Sequence, residues 1–83
     1  MDILAEIEDK YPQFSKGQKK IADYISAHAD KAAFMTAAKL GATVGVSEST
    51  VVRFAYEIGF EGYPDLSRAL QQIIRTQLTS VQR

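Results

Sequence analysis

Apolar residues recur along this chain at three- and four-residue spacing, the period of an amphipathic helix, and no segment alternates convincingly as a strand would. Asp2 fits the cap of a short first helix in which Ile3, Leu4 and Ile7 share a face, leaving Glu6, Glu8 and Asp9 to solvent. Tyr11 and Pro12 end it. Ser15 opens a second helix with Gln18 placed to complete a capping box, and Ile21, Tyr24, Ile25 and His28 form its inward stripe. A short helix from Asp30 is expected to put Phe34, with Met35, into the core. Another runs from Thr36 to Val44 with Ala37, Leu40 and Val44 inward, closed by Gly45 in a left-handed conformation. Ser47 caps the next, whose inner face is Val51, Phe54, Ala55 and Ile58 and whose outer face carries Ser49, Arg53 and Glu57; Gly59 ends it. Pro64 suits the first position of a last, long helix with Leu66, Leu70, Ile73, Ile74, Leu78 and Val81 along one side. The fold class expected is all-α, a small bundle of about five helices.

Two of these helices meet the demands of a helix-turn-helix, in which one short helix supports a second that enters the major groove of DNA. In "AAKLGATVGVSESTVVRF", the apolar offsets Leu40, Val44, Val46, Val51 and Phe54 hold the pair together. Gly45 supplies the turn and Ser47 the cap. A structural hairpin satisfies any one of these conditions; the full set points to a reading head.

The outer surface of the second helix then presents Ser47, Glu48, Ser49, Thr50, Val52 and Arg53 to DNA. Two roles fit Arg53: its planar fork matches guanine O6 and N7, and it also suits a phosphate. Ser49 and Thr50 are short enough to let the helix approach, with hydroxyls that reach a base edge or a phosphate. Val52 suits a thymine methyl or the edge of the core. Glu48 either accepts from cytosine N4 or simply favours the positive end of its own helix, the latter being the plainer reading. Lys39 on the preceding helix is placed for the DNA backbone or for solvent. Lys16, Lys19 and Lys20 crowd the first turns of the second helix, where the helix dipole disfavours cations; a phosphate neighbour removes the objection, and so does water. Lys19 is taken with Lys39 as a backbone contact.

Composition narrows the alternatives. With 83 residues, 46% of them apolar, the chain suits one folded domain, residues 1–83, burying about 60 to 65% of its extended surface. It has no cysteine, so disulfides and thiolate zinc sites are excluded. The acidic start lacks a signal-peptide pattern, and no apolar run approaches the roughly 20 residues of a membrane span. A cytoplasmic protein with no membrane partner is therefore expected. The ten basic and ten acidic side chains cancel, but unevenly: residues 1–30 hold four basic and six acidic, and residues 31–83 hold six and four. His28 is the only histidine and has no nucleophile or metal-ligand set beside it, so it reads as a helix-end residue; neither an enzyme nor a cofactor is expected.

"SKGQKKIADYI", "VSESTVVRF" and "GFEGYPDL", at their spacing here, resemble the amino-terminal domain of the RpiR/MurR family of bacterial transcriptional regulators over almost the whole chain. The resemblance implies a DNA-binding regulator of sugar or amino-sugar metabolism genes, more often a repressor, that binds double-stranded DNA as a homodimer or higher homo-oligomer. It places the recognition helix on Ser47 to Ile58, with Ser47, Ser49, Thr50 and Arg53 on DNA. It also implies a following sugar isomerase-type domain that senses a phosphosugar effector, absent from these 83 residues, so that a fragment of a longer regulator is expected. One departure is Gly41, where such motifs usually carry alanine. Glycine lowers helix stability by roughly 1 kcal/mol, so Gly41 either loosens its helix or serves a close crossing.

The rival reading is a helical protein-interaction or dimerisation module without specific DNA reading. Its support is the late apolar stripe Ile73, Ile74, Leu78 and Val81.

Overall fold

The computed structural model describes residues 2–81, with side chains to residue 76. Within them the chain forms six α-helices and a 3-10 turn: α1 (Ile3–Lys10), the turn (Tyr11–Gln13), α2 (Lys16–Ala27), α3 (Ala29–Ala32), α4 (Ala37–Val44), α5 (Glu48–Glu57) and α6 (Tyr63–Val81). All six helices outlined by the apolar pattern are present, one more than the rounded count of five, with α3 a separate single turn.

Local chemistry sets most boundaries. Asp2 accepts from the Ala5 amide, and Ser15 and Gln18 form the reciprocal capping box, with Gln18 N to Ser15 Oγ at 3.2 Å and Ser15 N to Gln18 Oε1 at 2.9 Å. Thr36 proves to be the cap of α4 rather than its first residue, its hydroxyl accepting from Lys39 N at 3.0 Å. Pro64 stands second in α6, one place later than its fixed φ suggested.

One core joins all the helices. Ile3 and Ile7 from α1, Ile21, Ala22 and Ile25 from α2, Leu40 from α4, Val51, Phe54 and Ala55 from α5, and Leu66 and Leu70 from α6 are buried, with Ile58 beside them. Phe14 seals the 3-10 turn against Phe54, with ring centroids 5.1 Å apart. The inward stripe of α2 is narrower than expected: Tyr24 is half-buried and His28 exposed, ending the helix with its ring 5.1 Å from that of Tyr24.

Phe34 is a correction. It was expected in the core and is 72% exposed. The core at this point is made by Ala32 and Ala33, both fully buried, whose small side chains let α3 lie close against α6. Three α6 side chains hold the backbone there: Tyr63 Oη donates to Met35 O at 2.6 Å, and Ser67 Oγ and Gln71 Nε2 donate to Ala33 O at 2.9 and 3.1 Å. With residues 33 and 35 pinned on either side, the ring between them projects outward. Met35 is half-buried against the core, as are Ile73 and Ile74; the side chains of Leu78 and Val81 lie outside those described.

Candidate nucleic-acid interface

The turn between α4 and α5 is fixed by two glycines with different tasks. Gly45 takes φ +83°, the left-handed conformation that ends α4. The Gly41 carbonyl then accepts from both Gly45 N (2.8 Å) and Val46 N (2.9 Å), folding the chain back over α4. This brings the Val46 carbonyl so close that a Cβ on Gly41 would lie 2.7 Å from its oxygen. Gly41 is thus a close-crossing residue, and the expectation that left its role open resolves on that side.

Ser47 restarts the chain as a helix. Its Oγ accepts from Thr50 N at 3.2 Å and lies 3.1 Å from Ser49 Oγ and 2.9 Å from Thr50 Oγ1. The inner face of α5 is completely occupied: Val51, Phe54 and Ala55 are fully buried, and Leu40 meets them from α4. Val44 and Val46 are half-buried at the margin. At the far end, Gly59 takes φ +98°, Phe60 N returns to Ala55 O at 2.9 Å, and Lys10 Nζ donates to Glu57 O at 3.1 Å. Packing on one side and capping at both ends therefore orient α5 as a rigid rod about 15 Å long.

What this rod leaves outside is polar and short. Ser47, Glu48, Ser49 and Arg53 are exposed and, with half-buried Val52, line one shallow open surface along the first turns of α5. Thr50 is half-buried and differs from Ser49: its hydroxyl sits on Ser47, and its methyl carbon lies 3.5 Å from where a Cβ on Gly17 of α2 would stand. Arg53 makes no ion pair among the described residues. Lys39 is exposed on the outer side of α4. Lys19 is half-buried with its Nζ 5.5 Å from the Tyr11 ring centroid. The structure therefore brings Ser47, Glu48, Ser49, Val52 and Arg53 together, and sets Lys39 and Lys19 apart from them on other helices.

The packing of α2 on this motif was missed in the sequence. A Cβ on Gly17 would lie 3.4 Å from Val46 Cγ1 and 3.5 Å from Thr50 Cγ2, so the start of α2 rests on the turn and the first turn of α5. The signal was a glycine inside a helix among lysines, a choice that local helix propensity disfavours.

Among the described residues no three His, Asp or Glu side chains gather as a metal site, and no helix is long and apolar enough to cross a membrane.

Comparison with known proteins places this geometry. Residues 1–77 match the family model described as helix-turn-helix domain, rpiR family. The chain belongs to the RpiR family. This is a family of DNA-binding helix-turn-helix regulators rather than of enzymes. The RpiR domain is 35% identical over 77 residues to the uncharacterized HTH-type transcriptional regulator YfhH of Escherichia coli, covering 93% of this chain and 27% of YfhH. It also superposes on the Vibrio vulnificus NanR protein, solved in complex with ManNAc-6P, with a TM-score of 0.85 and 31% identity, covering 96% of this chain and 31% of that one. The chain thus spans about a third or less of the relatives it matches.

Proposed function

We propose that this RpiR domain, residues 1–83, is the sequence-reading part of a DNA-binding transcriptional regulator, with α5 entering the major groove by its first turns. The observation that carries the reading is the division of α5: an inner face wholly consumed by the core, and an outer face of Ser47, Glu48, Ser49, Val52 and Arg53 that is short, polar and open. Short side chains let the helix axis approach the base edges, and Arg53 supplies the fork that suits guanine. Ser47 and Ser49 offer hydroxyls to base or phosphate, Thr50 buttresses the helix while contacting the backbone, and Val52 meets a thymine methyl. Glu48 favours the helix start. Lys39 on α4 and the lysine group at the start of α2, of which the sequence pattern put forward Lys19, serve the DNA backbone.

The regulator is read as a cytoplasmic homodimer or higher homo-oligomer, since helix-turn-helix proteins reach specificity by presenting two copies about 34–36 Å apart to a two-fold site. The complex of NanR with ManNAc-6P supports control by a phosphorylated sugar or amino sugar, sensed by a domain beyond these residues; repression of genes for its metabolism is the direction the family resemblance favours. The interaction-module reading loses part of its support because Ile73 and Ile74 lean on the domain's own core.

Selection of bound duplexes from random-sequence DNA, performed with the complete regulator, tests the proposal. Enrichment of a two-fold motif is the expected result; a folded protein that enriches nothing would remove sequence-specific reading.

A further inference from the structure

The three lysines at the start of α2 are equivalent in the sequence but not in the fold. Gly17 rests on Val46 and Thr50, which fixes the side of α2 that faces the recognition helix. At about 100° per residue, Lys20 stands about 60° and Lys16 about 100° from Gly17, both turned away from the buried stripe Ile21, Ala22 and Ile25; Lys19 stands about 160° away. The surroundings agree with that arithmetic. Lys19 is half-buried, with its Nζ over the Tyr11 ring. Lys16 and Lys20 are exposed and make no ion pair or hydrogen bond among the described residues.

Charge is also sorted along α5. Lys10 donates to Glu57 O, the last residue of α5, and this brings the end of α1 carrying exposed Glu8 and Asp9 to the C-terminal end of the recognition helix. The Gly17 contact brings Lys16 and Lys20 to its N-terminal end. The chain is neutral overall, yet by balance the end of α5 that leads into DNA is the more basic, with Lys16 and Lys20 against Glu48, and the trailing end the more acidic, with Glu8, Asp9 and Glu57 against Lys10. A phosphate backbone rewards that sorting, because each cation placed on a phosphate releases condensed counterions.

We propose that Lys16 and Lys20 of α2, rather than Lys19, form a second DNA-contacting element that holds the phosphates bordering the groove entered by α5. The proposal rests on the DNA-binding reading above. It adds a third helix to the interface, makes Gly17 the residue that sets its distance, and explains why cations are kept at a helix start where the dipole disfavours them.

The test is the salt dependence of binding to a mixed-sequence duplex of about 30 base pairs between about 50 and 200 mM salt, followed by fluorescence anisotropy. Replacing both lysines, Lys16→Gln with Lys20→Gln, is expected to make the slope of log affinity against log salt shallower by about 1.8, since each phosphate contact contributes about 0.9. Lys19→Gln is expected to leave the slope unchanged, and Lys16→Arg with Lys20→Arg to preserve it by preserving charge. Circular dichroism confirms that each variant is folded. An unchanged slope in the double glutamine variant, or an equal loss in Lys19→Gln, overturns the proposal while leaving the DNA-binding reading intact. A wild-type protein that binds no duplex at any salt overturns both.

Discussion

The Gly41 α-carbon faces the Val46 carbonyl at a distance that leaves no room for a methyl group: a Cβ there would stand 2.7 Å from the oxygen and 3.3 Å from the Ser47 carbonyl atoms. Those atoms are backbone in the turn itself and cannot swing aside as a side-chain tip does. The approach of α4 to the start of α5 is therefore set by the absence of a side chain.

Gly41→Ala is expected to destabilise the domain even though alanine is the better helix former by about 1 kcal/mol. Overpacking costs about 1–3 kcal/mol, and the net loss should appear as a lower urea midpoint with an unchanged slope. A variant at least as stable as wild type would show that the crossing relaxes freely.

Ser47→Ala removes the cap of α5 and is expected to lower stability by about 1 kcal/mol. It also withdraws the oxygen on which the Ser49 and Thr50 hydroxyls rest. Thermal melts measure the first effect, and DNA affinity at fixed salt the second. Ser47→Asp, which restores the cap but not a hydroxyl, should recover the stability; failure to do so would mean that capping is not the source of the loss.

Arg53→Ala separates two roles. If the guanidinium reads a base, binding to a selected operator should fall by about 1–3 kcal/mol while binding to unrelated duplex changes little. Equal losses on both duplexes would assign Arg53 to a phosphate.

Burial pushes the Tyr63 phenol above its ordinary value of 10.0, so the folded domain retains this proton longer than the unfolded chain does. The unfolded state then binds fewer protons above pH 10, and stability falls as pH rises from there through the folded-state value. Tyr63→Phe should show a shallower alkaline loss in urea titrations between neutral and high pH. At neutral pH it should lose about 0.5–1.5 kcal/mol for the hydrogen bond to Met35 O. An alkaline limb as steep as that of wild type would exclude Tyr63 as its source.

Helix starts and stops were legible because their causes are local. Asp2, the Ser15 and Gln18 pair, Gly45, Ser47 and Gly59 each act within a few residues of their own position, and each does what its chemistry suggests. The outer face of α5 was legible for the same reason, since helical period alone separates Arg53 from Phe54. Phe34 was not, because its orientation is decided by Tyr63, Ser67 and Gln71, some thirty positions away, gripping the chain on either side of it. Nor was the inequality of Lys16, Lys19 and Lys20, which appears only when α2 crosses the turn at Gly17 and Tyr11 folds under Lys19. Gly41 lay between these cases: a glycine in a helix announced a constraint, but the oxygen that imposes it arrives from the following turn.

The grip of α6 on residues 33 and 35 engages carbonyl oxygens, and a carbonyl oxygen is the same whichever residue carries it. The hold on the chain leading into α4 is therefore indifferent to the side chain at Phe34, which stands in solvent and contributes nothing to it. Mutational tolerance should follow that division. Substitutions should accumulate freely at Phe34, whereas Tyr63, Ser67 and Gln71, spaced at successive turns of α6, bear the evolutionary constraint for a segment some thirty residues earlier.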